Sequence, residues 1–129
     1  MHHRDYTTIS NDVIADALAS LALKHTDRIF KRNLKIIRTN HKILSRWIKD
    51  EPLIDWVPPE AGTCAFLRYR MNISSRDLCI RLLREKGVFL VPSFCFGMKK
   101  HLRIGYGCKT ETLERGLSSF KSFLRTCPT

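Results

Sequence analysis

The chain has 129 residues, 43% of them hydrophobic, and a formal net charge of +11. That length holds one ordinary domain with a single core and falls short of a typical two-domain enzyme, while the apolar content excludes a disordered chain. The longest mostly apolar run, Val13–Leu23, contains Asp16 and is too short to cross a bilayer, so no membrane association is expected.

In chain order, Met1 is followed at once by His2, His3, Arg4 and Asp5, which do not form a secretory signal. Ser10 or Asn11 can cap a first helix running to about Lys24, with Val13, Ala17, Leu18, Leu21 and Ala22 on one side. After a break near His25–Asp27 comes a long amphipathic helix. Its basic ridge comprises Lys24, Arg28, Lys31, Lys35, Arg38, Lys42, Arg46 and Lys49, recurring at steps of three and four. The opposite side carries Phe30, Leu34, Ile37, Leu44 and Ile48, widened by Ile29, Ile36, Ile43 and Trp47. Three readings of the ridge stand side by side: a solvated outer face, a nucleic-acid footprint, and a docking surface for an acidic partner. The solvated face is favoured, because no aromatics interleave with the ridge and no nucleic-acid-binding motif is present.

Glu51–Gly62, with Pro52, Pro58, Pro59 and Gly62, reads as a connector. Ala65–Met71 alternates, Ala65, Leu67, Tyr69 and Met71 opposing Phe66, Arg68 and Arg70, as in a half-buried strand. Ser74–Asp77 resembles a capping box for a helix carrying Leu78, Ile80, Leu82 and Leu83, which Gly87 ends. Val88–Val91 and His101–Gly107 read as two further strands around a loop at Pro92–Gly97. Thr110 then caps a last helix with Leu113, Leu117, Phe120 and Leu124 at helical spacing. The expected fold is α+β, with helices packed on a small three-stranded sheet.

The second of these strands carries the chemistry. Leu102, Ile104 and Tyr106 fall on one face; His101, Arg103, Gly105 and Gly107 fall on the other. Arg103 therefore projects beside two residues without side chains, which leaves room for a bidentate grip on a carboxylate. An ordinary exposed arginine on an edge strand is the competing reading. His101, on the same face, reads as a partly exposed structural histidine. The five cysteines, Cys64, Cys79, Cys95, Cys108 and Cys127, are odd in number and form no C-x-x-C pair. They match neither a disulfide framework nor a zinc site, and no metal is expected. They read as reduced, partly buried thiols, so a cytoplasmic protein is expected.

Together, PPEAGTCAFLRY (Pro58–Tyr69), LCIRLLREKGVFLVPSFCFG (Leu78–Gly97) and HLRIGYG (His101–Gly107) closely resemble the C-terminal end of the class I/II aminotransferases. These are pyridoxal-phosphate enzymes of fold type I. The terminal TETLERGL and the upstream RDYTTISNDVIADALASLAL follow the same pattern. The resemblance covers nearly all of this chain but only about the last third of the usual enzyme. It implies that residues 1–25 end the large domain, 26–50 form the interdomain helix, and 51–129 form the small domain. It also implies that Arg103 grips the α-carboxylate of an amino-acid or 2-oxo-acid substrate, with the Pro92–Gly97 loop, which carries Phe94 and Phe96, near the substrate entrance. The cofactor would be pyridoxal phosphate, the partner a missing N-terminal large domain, and the full enzyme a homodimer.

In that family the Schiff-base lysine sits in an S-x-x-K stretch upstream of the matched region. The only such stretch here is Ser118–Lys121, inside the last helix, where a surface lysine is expected. The chain is therefore expected to be inactive alone, as one piece of an aminotransferase. The alternative is a non-catalytic relic whose basic ridge binds nucleic acid or an acidic partner.

Overall fold

A computed structural model describes residues 12–126. The caps expected at Ser10 or Asn11, the His2–His3 pair and Cys127 lie outside the described residues. The chain divides into two compact units, 1–34 and 35–129.

In the first unit, α1 runs Val13–Lys24 and is capped by Asp12, whose Oδ1 accepts the Ile14 N–H at 3.1 Å. The helix breaks at His25, and α2 starts at Thr26 and runs to Lys49. No residue of α1 is buried: Val13, Ile14, Leu18, Leu21 and Leu23 are all exposed, as are Ile29, Phe30 and Leu34 of α2. A helix this apolar over so much of its surface is normally covered.

The second unit holds the core. Its elements are the latter part of α2, β1 (Ile54–Trp56), β2 (Cys64–Tyr69), α3 (Ser75–Lys86), β3 (Val91–Pro92), a 3-10 turn at Ser93–Phe96, β4 (His101–Gly105) and α4 (Thr110–Leu124). The strands form one antiparallel sheet in the order β1-β2-β4-β3. The α+β class matches expectation, but the sheet has four strands instead of three. The added strand, β1, lies within the segment read as a connector. Its three residues sit between Pro52 and Pro58, too short a run for alternation to show, and they pair with Leu67–Tyr69 across the sheet. Conversely, the strand expected at Val88–Val91 shrinks to Val91–Pro92. Pro92 has no N–H to donate, so the pairing stops on this edge.

Alternation decides the two faces. Ala65, Leu67 and Tyr69 of β2 and Leu102 and Ile104 of β4 are buried. They join one core with Leu44 and Ile48 of α2, Leu78 and Leu82 of α3, and Leu113, Leu117, Phe120, Phe123 and Leu124 of α4. On α3, Ile80 and Leu83 point outward instead, and Cys79 takes a core position. The Ser74 box forms: Ser74 Oγ accepts the Asp77 N–H at 3.1 Å and donates to its Oδ2 at 2.6 Å. Gly87 ends α3 in the left-handed region, at φ 67.

One buried polar residue crosses this core. Asn40 of α2 is fully buried, and its Nδ2 donates to the carbonyls of Tyr106 and Cys108, both at 2.8 Å. Its Oδ1 accepts the Thr110 hydroxyl at 2.8 Å. Thr110 was expected to cap α4; its hydroxyl is used here, and Lys109 takes the cap position without a side-chain bond.

Two predictions follow from this packing. Asn40→Ala leaves two carbonyls without their partner and should cost about 2–4 kcal/mol, whereas Thr110→Ala removes one bond and should cost about 1 kcal/mol; urea unfolding midpoints of the two variants measure the difference. The exposed apolar residues of the first unit should make the isolated chain self-associate, so light scattering should give a mass above that of one chain, and a clean monomer would contradict this.

Candidate functional site

The face of the sheet turned away from the core is built by the β2–β4 register, in which Cys64 pairs with Gly105, Phe66 with Arg103, and Arg68 with His101. All six are exposed or half-buried. Arg103 thus lies centrally on an open face, flanked across the strand by an aromatic ring and along it by His101 and Gly105. A Cβ added at Gly105 would meet nothing within 4 Å, so the space expected beside Arg103 is there. Gly107 has a different reason. It lies past the end of β4, where an added Cβ would come within 3.1 Å of the Thr63 side chain. Its smallness lets the chain leaving β4 pass the entry to β2, where the Tyr106 N–H donates to the Thr63 carbonyl at 2.7 Å and the Tyr106 hydroxyl to that of Gly62 at 2.9 Å.

The Arg103 guanidinium stands over the Phe96 ring, 5.1 Å from its centroid. It has no hydrogen-bond or ion-pair partner among the described residues. Its neighbours are more engaged. The His101 ring places Nδ1 2.6 Å from the Lys99 carbonyl, a contact that supports a structural role for this side of the ring. The Lys100 ammonium donates to the Met71 carbonyl at 2.6 Å and lies over Tyr69. Beside Arg103, on the β1 side, an open cavity of about 470 Å³ is lined by Asp55, Trp56, Phe66, Arg68, Met98 and His101 among others. The strand residues of this face include no lysine. Lys121 of the Ser118–Lys121 stretch sits in the last turn of α4 and is half-buried instead of fully exposed.

Comparison with known proteins decides the family. The model of aminotransferase class I and II matches residues 3–120. The chain belongs to this family. It is 36% identical to capreomycidine synthase of Streptomyces vinaceus over 124 residues, 95% of this chain but 32% of the relative. A PLP-dependent aminotransferase from Streptococcus suis superposes with a TM-score of 0.94 at 38% identity, over 98% of this chain and 34% of that structure. The PLP-dependent cyclase OrfR gives a TM-score of 0.88 at 29% identity, over 95% of this chain and 34% of that one. This aminotransferase-family chain therefore spans about a third of the length of the relatives it matches.

Its thiols divide by exposure. Cys64 and Cys95 are exposed, whereas Cys79 is buried. Burial, with Cys95 nearby adding to it, pushes the Cys79 thiol up to about 11. Burial also raises the phenols of Tyr69 and Tyr106. The sign follows from linkage: the folded chain holds these protons more tightly than the unfolded chain, so the stabilisation is complete below the ordinary thiol value of 9.0 and drains away as pH rises toward 11. Unfolding midpoints should accordingly fall between pH 9 and 11, and fall less in Cys79→Ala. Near neutral pH, a thiol reagent followed by mass spectrometry should label the exposed Cys64 and Cys95 and spare the buried Cys79.

Proposed function

We propose that this chain is the C-terminal portion of a pyridoxal-phosphate-dependent aminotransferase, in which Arg103 binds the α-carboxylate of the amino-acid or 2-oxo-acid substrate. The observation that carries the reading is the guanidinium itself: central on the open face, beside the empty space at Gly105, and without an anionic partner. A planar fork with five donors matches a carboxylate in two parallel bonds, and a half-buried setting strengthens them.

The cofactor, when bound, supplies the electron sink for amino-group transfer. The residues present do not by themselves fit as its covalent seat. The Arg103 face has no lysine among its strand residues, and Lys100 next to it is engaged by the Met71 carbonyl. In this reading the Schiff-base lysine and the phosphate-binding groups come from an upstream large domain, and the chain alone does not transaminate. The exposed apolar residues of α1 and of the first turns of α2 support such a partner, since they would be covered by it. A homodimer of the completed enzyme and a cytoplasmic setting belong to the same proposal.

The test is reconstitution with the upstream portion, by co-expression or as one chain. Absorbance of bound pyridoxal phosphate should appear only when that portion is present. Arg103→Lys keeps the charge but loses the fork, so it should leave the absorbance intact and lower kcat/KM for amino donors about 100-fold. Transamination by the 129-residue chain alone, or an unchanged kcat/KM in Arg103→Lys, would overturn the reading.

A further inference from the structure

We propose that Phe96 is the positioning residue for Arg103, its ring holding the guanidinium in a fixed plane while leaving the charge and the donor edge free for a carboxylate. The inference deepens the reading of Arg103 given above and rests on it.

A half-buried arginine has to be held by something, and the usual holder is an acid. An acid would satisfy the donors and cancel the charge that a substrate carboxylate needs. The face of an aromatic ring attracts a guanidinium through its quadrupole and neutralises nothing. Here the guanidinium carbon lies 5.1 Å from the Phe96 centroid, inside the reach of that attraction, and no acid replaces the ring among the described residues. A contact with the ring uses no hydrogen-bond donor, so the guanidinium keeps its N–H groups for a carboxylate, which can take two of them.

The ring is itself fixed from three directions. It meets the Phe66 ring edge-to-face, at a centroid distance of 5.2 Å and an interplanar angle of 85°. Phe66 is the cross-strand partner of Arg103, so one register places both the guanidinium and the support beneath its platform. The 3-10 turn that carries Phe96 is fastened to β4 at its start: the fully buried Ser93 Oγ accepts the His101 N–H at 3.2 Å, and Val91 and Pro92 pair with Arg103 and Leu102. At its end, Gly97 takes φ 66, which turns the chain back toward β4. Phe96 itself remains 41% exposed, so core packing does not account for where its ring lies. Phe94, in the same turn and 57% exposed, has no ring contact among the described residues and serves as the internal control.

Peptide-resolved modification of Arg103 by phenylglyoxal, with propionate as the protecting carboxylate, tests this on the chain as it stands and tolerates self-association. Propionate should slow modification of Arg103. Phe96→Leu should raise the half-protecting concentration about 2- to 5-fold, the size expected of one cation–π contact. Phe96→Tyr should restore the wild-type value, and Phe94→Leu should leave it unchanged. Wild-type protection in Phe96→Leu overturns the platform while leaving Arg103 as the carboxylate group. An equal loss in Phe94→Leu also overturns it, because the effect would then belong to the turn as a whole. If propionate fails to protect Arg103 in the wild-type chain, the carboxylate reading falls and the platform falls with it.

Discussion

The buried amide of Asn40 is the constraint on which the second unit depends. An amide in a core has two donors and one acceptor to satisfy, and each one left unmet costs about 1–3 kcal/mol. Asn40 meets all three demands with groups 66 to 70 residues away, the carbonyls of Tyr106 and Cys108 and the hydroxyl of Thr110. Those groups mark where β4 ends and α4 begins. Apolar contacts between α2 and the sheet could slide by a fraction of a turn; these three bonds cannot. They fix the phase of α2 against the strand that carries Arg103.

From that fixed strand the rest of the site follows by periodicity. A two-residue repeat sends Leu102 and Ile104 into the core and His101 and Arg103 to the open face. Antiparallel pairing then decides which side chains stand beside Arg103, setting Phe66 across from it and Cys64 across from Gly105. The short edge strand and the turn after it add Phe96 from the other side. The result is a guanidinium bordered by rings and glycine, with no acid paired to it among the described residues. Such an arrangement is chemically suited to an anion, in keeping with the role proposed for Arg103.

What could be read from the residues follows from how local the cause was. β2 and β4 were legible because each alternates over five or more residues, and α3 because its Ser74 box and Gly87 stop are chemical signals within a few residues of the helix. Arg103 stood out for the same reason, its face being set by the strand period. β1 was not legible, since three residues between prolines show no period, and it exists because β2 offers an edge to pair with. Thr110 illustrates the converse. Its place before an amphipathic run made it a natural cap, yet a buried amide 70 residues away claimed its hydroxyl. Gly107 does not provide the space beside Arg103 that its alternation suggested, because it lies past the end of β4 and serves the close approach of Thr63 instead.

The sequence by itself determined the α+β class, the order of helices and main strands, the face on which Arg103 stands, and the resemblance to class I/II aminotransferases that the family match bears out. These rest on periods, caps and motifs, all of which act over short stretches of chain. Only the tertiary structure decided the fourth strand, the partners of Asn40, and the ring that carries the Arg103 guanidinium. Each of these brings together groups from separate elements. Such contacts depend on which faces meet across the core, so no local pattern announces them.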